Sequence, residues 1–143
     1  MRRCVALLCA VGMAATVSVG CTSAVTSPSN NVPFSRTDLA VGTGATASVG
    51  RALTVNYTGW LYDAAQPENK GLVFDSSLGK TPFLFTLGAG QVIAGWERGL
   101  LGMQVGGTRR LVIPPSLAYG GTRSNVVPAY ATLVFDIDLI SVQ

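Results

Sequence analysis

The 143-residue chain contains no histidine, only three cysteines, and 12% charged residues. Without imidazole there is no Ser-His-Asp or Cys-His nucleophilic machinery and no histidine metal site. No Gly-Lys-Ser/Thr phosphate loop occurs. Gly88-Ala89-Gly90 lacks the third glycine of a dinucleotide fingerprint, and no βαβ pattern surrounds it. No cofactor and no metal are therefore expected. Cys4 and Cys9 lie in an apolar N-terminal run, which leaves Cys21 alone and no expected intrachain disulfide. Setting aside residues 1–20 takes Arg2 and Arg3 from ten basic residues. The eight that remain face seven acidic ones. A charge of about +1 offers no nucleic-acid footprint.

What is present begins with a basic start, Met1-Arg2-Arg3, followed by an uncharged stretch from Cys4 to Val19. This reads as a signal peptide over residues 1–20. A membrane anchor is the alternative, but the run is short of the ~20 residues a spanning helix needs. Val17-Ser18-Val19-Gly20-Cys21 resembles a lipoprotein-processing site, with Ser18 where leucine is usual. Cys21 is the expected lipidation site, and ordinary signal cleavage nearby is the alternative. Residues 21–35 are rich in Ser, Thr, Asn and Pro and lack charge, so they read as a flexible tether. The expected location is outside the cytoplasm, periplasmic and held at a membrane by that lipid, with a soluble exported form as the other possibility.

A folded domain is expected over residues 36–143. Leu53, Val55 and Tyr57 alternate with polar neighbours, the period of a strand with one buried face. Phe83-Leu84-Phe85-Thr86-Leu87 alternates after Pro82, and residues 109–113 form a strand stopped by Pro114-Pro115. In residues 132–142, Leu133, Phe135, Ile137 and Leu139 share one face, opposite Asp136 and Asp138. Residues 62–73, with Asp63, Pro67, Asn69 and Gly71, read as a loop. One helix is expected over about 91–101, with Val92, Ile93, Trp96 and Leu100 in one stripe. Gly95 and Gly99 weaken it intrinsically, so it should gain stability by close packing on a sheet. These elements define an α+β domain, an antiparallel sheet with one short helix.

Few titratable groups accompany a set of aromatics: Tyr57, Phe74, Phe83, Phe85, Trp96, Tyr119 and Phe135. Each alone suits a core. Together they suit an apolar pocket with a few polar tips.

Several blocks carry a family resemblance. They are Val55-Asn56-Tyr57-Thr58-Gly59, Phe74-Asp75-Ser76-Ser77, Pro82-Phe83-Leu84-Phe85 and Gln91-Val92-Ile93-Ala94-Gly95-Trp96-Glu97, then Ala118-Tyr119-Gly120 and Ala131 to Asp136. In this order they resemble FKBP-type peptidyl-prolyl cis-trans isomerases. The resemblance implies a twisted antiparallel sheet wrapped around one short helix and an X-Pro isomerase that assists protein folding. It implies catalytic roles for Asp75, Tyr57, Trp96 and Tyr119. Trp96 would be the floor under the proline ring, Tyr57, Phe83, Val92, Ile93 and Phe135 the walls, and Phe74 a contact to the ring or to the residue before it. The Ile93 N–H and Tyr119 hydroxyl would hold substrate carbonyls, and Asp75 would sit by the rotating carbonyl, bonded to Tyr57. Read without the resemblance, Asp75 is a turn-former before Ser76-Ser77. Gln91 stands where many members have glutamate. The 122–127 loop, ending in Val127 as a substrate contact, lacks the His-Pro-Gly frequent in the family. Implied partners are proline-containing polypeptides and macrolide inhibitors, and no dimerisation helix precedes the domain, so a monomer is expected. The alternative is a weakly catalytic chaperone or proline-segment binding module on the same fold.

Overall fold

A computed structural model describes residues 32–143. The expected signal segment, Cys21 and most of the tether lie outside the described residues. The expected tether runs to residue 35, yet Phe34 already packs against the core. Strand β1 (Ser35–Ala40) begins at the next residue.

Five further strands follow: β2 (Ala52–Tyr62), β3 (Lys70–Ser76), β4 (Phe83–Thr86), β5 (Thr108–Ile113) and β6 (Leu133–Val142). All pairings are antiparallel, in the order β1-β5-β6-β2-β3. Strand β2 is the hinge of this architecture. One edge pairs with β6 along nearly its whole length, from Leu53↔Val142 to Leu61↔Leu133. Its other edge is shared, with β4 pairing to residues 52–55 and β3 to residues 58–62. Tyr57 falls between the two partners, where the sheet edge parts.

The expected alternation sets the faces. Leu53 and Val55 of β2, Leu111 and Ile113 of β5, and Leu133, Phe135, Ile137 and Leu139 of β6 are all buried in one core. Asp136 and Asp138 turn to the opposite face. There Asp136 accepts Arg110 Nε at 2.7 Å and Lys70 Nζ at 2.7 Å. Glu68 joins this network, pairing with Lys70 and Arg110 at 3.0 Å each. Lys70 Nζ also lies 4.3 Å from the Trp60 ring centroid.

Two expectations change. Residues 62–73 are not a continuous loop: β2 runs to Tyr62, a single 3₁₀ turn occupies Pro67–Asn69, and β3 starts at Lys70. Register shifts along β2–β3 break the alternation that would have marked a strand. The helix α1 (Ala94–Gly99) is shorter than expected, because Ile93 is extended (φ −60°, ψ 152°) and stands as its N-cap. Its glycines act as expected. A Cβ on Gly95 would meet Ile113 Cγ2 at 2.4 Å, and one on Gly99 would meet Leu111 Cδ1 at 2.5 Å. Bare glycine faces let α1 lie directly on β5.

Candidate active site

Where β3 and β4 part from each other along the edge of β2, with α1 beneath, lies a cavity of about 430 Å³. Trp96 is buried at 5% exposure and meets its neighbours edge to face. Its ring lies 5.1 Å from Tyr57, 5.3 Å from Phe135 and 6.1 Å from Phe83, at interplanar angles of 79–88°. Such pairs are worth about 0.5–1.5 kcal/mol each beyond burial. They also fix the rings, so the apolar surface is present before any ligand arrives. The Trp96 indole N–H is buried without an acceptor among the described residues. Phe74 meets Phe135 at 5.5 Å and 84°, closing another wall.

Gly59 makes that wall possible. A Cβ there would lie 2.7 Å from both the Phe135 and Phe74 rings. A side chain at this point of β2 would push the two rings apart.

The polar tips gather on one side. The Tyr57 hydroxyl donates to Asp75 Oδ2 at 2.6 Å, and the Ser76 N–H donates to Asp75 Oδ1 at 2.9 Å. The two readings of Asp75 thus coexist: one oxygen serves its own turn, the other orients the phenol. Burial pushes the Tyr57 phenol well above its ordinary value, and the Asp75 hydrogen bond and charge push it further. Burial also raises Tyr119, with the Asp75 charge second. Both phenols are thereby kept protonated, able to donate hydrogen bonds. Ile93 lines the cavity just ahead of α1, at a helix start where backbone N–H groups have no intrahelical acceptor.

The cavity brings together Tyr57, Phe74, Asp75, Phe83, Gln91, Val92, Ile93, Trp96, Tyr119 and Phe135. Val127 does not join them. It is 4% exposed within the core cluster. The Ser124 N–H donates to the Val127 carbonyl at 2.9 Å and the Val127 N–H donates to Ser124 Oγ at 3.0 Å. That tight loop turns Val127 inward, away from the rim. The side-chain oxygen of Gln91 accepts the Thr86 N–H at 2.8 Å, so it ties the end of β4 to the helix entry.

Two supporting residues escaped sequence reading. Ser77 is buried, and its hydroxyl accepts the Tyr57 N–H at 2.8 Å while its own N–H donates to the Tyr57 carbonyl at 2.9 Å. It pins the backbone of Tyr57 where the β3/β4 edge of β2 lies between its two strand partners. Glu97 accepts the backbone N–H groups of Gly88 and Gly90. It thereby folds the β4–α1 turn onto the helix. Only its place beside Trp96 hinted at this, since one carboxylate on a short helix has no periodic signature.

The cavity is a pre-formed apolar well with an indole floor, and with two phenols and a carboxylate at its edge. The lining residues offer no thiol, imidazole or amine for covalent chemistry. Comparison with known proteins agrees. Residues 44–140 match the family of FKBP-type peptidyl-prolyl cis-trans isomerases. The chain belongs to that family.

Among its relatives is the FK506-binding protein 2B of Rhizopus delemar, 52% identical over 96 residues, covering 66% of this chain and 43% of that protein. The FK506-binding protein of Neisseria meningitidis serogroup A is 47% identical over 107 residues, covering 73% of this chain and 92% of that one. Among solved structures, FkpA from Escherichia coli superposes with a TM-score of 0.66 at 37% identity, over 77% of this chain and 48% of that one. AtFKBP13 superposes with a TM-score of 0.63 at 36% identity, over 76% and 91%. The chain thus spans less than half of the first relative and most of the second.

Proposed function

We propose that the chain accelerates cis-trans isomerisation of X-Pro peptide bonds, with Trp96 under the proline ring and Asp75, Tyr57 and Tyr119 at the carbonyl side. The observation that carries this reading is the Tyr57–Asp75 hydrogen bond at the edge of the Trp96 well. The amide barrier is about 18–20 kcal/mol because resonance gives the C–N bond partial double-bond character. No bond to carbon need form or break. The site has only to favour the twisted amide, in which charge is localised on nitrogen and the carbonyl is more ketone-like. A dry apolar well disfavours the planar dipole relative to that state, and fixed donors hold its geometry. A ten-thousand-fold acceleration needs about 5.4 kcal/mol.

The same well suits macrolide ligands, in keeping with the names of the FK506-binding relatives. The charge pattern of residues 1–20 and the Gly20-Cys21 junction support an exported, lipid-anchored form acting on proline-containing clients outside the cytoplasm. A monomer fits this arrangement.

The test is cis-to-trans exchange of a short leucine-proline peptide by the purified chain, with and without a macrolide. Acceleration abolished by the macrolide supports the isomerase. A folded chain that binds the macrolide and leaves the exchange rate unchanged overturns it in favour of a binding module.

A further inference from the structure

Helix α1 carries the pocket floor, yet it is six residues long and has two glycines. A helix this short leaves most of its carbonyls without intrahelical partners. Something else must hold its C-terminal end. Arg109 of β5 does so. Its Nη1 donates to the Gly99 carbonyl at 2.8 Å and to the Leu101 carbonyl at 3.1 Å. A guanidinium there also meets the negative end of the helix dipole.

Arg109 is 7% exposed, a charge that sheet and helix bury together. Its compensation comes from β1. Asp38 faces Arg109 across the β1–β5 register and accepts its Nε at 2.5 Å. That bond, with the charge of Arg109, holds the Asp38 carboxyl below its ordinary value. Arg36, two residues earlier on β1, reaches the same helix end, donating to the Arg98 and Leu101 carbonyls at 3.5 and 3.4 Å. All of β1 precedes the 44–140 segment that matches the family.

Trp96 sits one helical turn before this anchor, and the Leu100 N–H donates to its carbonyl at 3.0 Å. The other face of α1 rests on Ile113 and Leu111 through glycines, which give smooth contact but no directional lock. Glu97 ties the helix to the β4–α1 turn through the Gly88 and Gly90 N–H groups, and at the C-terminal end the arginines supply the hydrogen bonds that resist sliding along β5. We infer that Arg109, oriented by Asp38, is a positioning residue that fixes the C-terminal end of α1 and thereby the height of Trp96 in the pocket. The inference rests on the isomerase reading for its kinetic consequence, and on the structure alone for its effect on Trp96.

The experiment uses the full chain in a Trp60→Phe background. Trp60 lies outside the pocket-lining set, and the sequence has two tryptophans, so Trp96 then reports alone. Arg109→Met, Arg109→Lys and Asp38→Asn are compared with their parent well below their melting temperatures. The readouts are kcat/KM on the leucine-proline peptide and Trp96 emission with acrylamide quenching. Arg109→Met should lose about tenfold in kcat/KM, the scale of a small misplacement of a site. Its Trp96 emission should shift to the red and quench more readily. Arg109→Lys should recover part of both, since an ammonium can still reach the two carbonyls. Asp38→Asn should give the same changes, smaller in size.

Variants that melt earlier but keep parental kcat/KM and Trp96 emission would make the pair a stability element only and overturn the inference. If Arg109→Met does not fold, Asp38→Asn decides by itself, because the Asp38 side chain is 43% exposed and an asparagine oxygen can still accept the Arg109 Nε–H. If the parent shows no isomerase activity the functional reading fails, and the emission and quenching comparison still decides whether Arg109 sets Trp96.

Discussion

The Asp75 carboxylate serves two donors at once, the Tyr57 hydroxyl at 2.6 Å and the Ser76 N–H at 2.9 Å. It is therefore both the end of its own turn and the clamp on a pocket phenol. Groups that work through one hydrogen bond are not additive when removed. Asp75→Ala should lower kcat/KM about tenfold, and Tyr57→Phe should lower it by less. The double variant should lose no more than Asp75→Ala alone. The kinetic double-mutant cycle checks this, and fully additive losses would mean that the two residues act separately.

Gly95 lies against Ile113 so closely that a Cβ would fall 2.4 Å from it. Intrinsic propensity argues the other way, favouring alanine over glycine in a helix by about 1 kcal/mol. Overpacking typically costs about 1–3 kcal/mol. Packing should win. Gly95→Ala is expected to lower stability in denaturant titration and to disturb Trp96, its neighbour. A more stable Gly95→Ala protein would show that α1 has room to lift from β5.

How much of this was legible in the sequence depends on burial. Strand β6 was, because Phe135, Ile137 and Leu139 alternate with Asp136, Asp138 and the exposed Ile140, and Leu133 keeps the same parity. Strand β1 was not, since all six of its residues are exposed at a sheet edge and nothing in Ser35–Ala40 alternates. Strand β3 was hidden by its register shifts and by the turn-forming residues before it. The pocket was legible mainly through family resemblance. Its aromatics sit at positions that periodicity alone assigns to a core, and most of them do pack there. Val127 shows the limit: its place at the end of the 122–127 loop suggested the rim, but the Ser124 turn folds it inward.

The outer face of the sheet should set the acid limit of stability. Burial pushes the Asp136 carboxyl up, but hydrogen bonds from Arg110 and Lys70 outweigh it and hold it low. Hydrogen bonds from Lys70 and Arg110 also lower Glu68. A carboxyl whose folded value lies below its unfolded one adds stability above the unfolded value, about 4. That contribution is lost as pH falls through the folded value. The melting temperature should thus drop below about pH 4. Asp136→Asn should cost about 2 kcal/mol at neutral pH, the scale of hydrogen bonds to charged groups, and should flatten the acid limb. Melting curves from pH 2 to neutrality measure both, and an unchanged acid limb in the variant would remove Asp136 from this role.

At the alkaline end the sign reverses in the pocket. Burial first, and then the Asp75 hydrogen bond, hold the Tyr57 phenol above its ordinary value. The folded protein therefore keeps a proton that the unfolded chain releases near pH 10. Its contribution to stability is complete below that pH and is lost as pH rises toward the folded value. Two results should follow. The phenolate absorbance step of the folded protein should be smaller, up to about pH 11, than the step that denaturation reveals, and Tyr57→Phe should shrink that difference. Isomerase activity should also persist through pH 10 for as long as the protein stays folded, because the phenol that Asp75 orients is still a donor. Replacing Asp75 with asparagine removes the carboxylate charge, so the Tyr57 step should move to lower pH, and it should stop short of the ordinary value because burial is the larger cause. An Asp75→Asn protein whose phenolate titration matches wild type would show that burial alone sets the Tyr57 proton, leaving Asp75 to act on catalysis only through geometry.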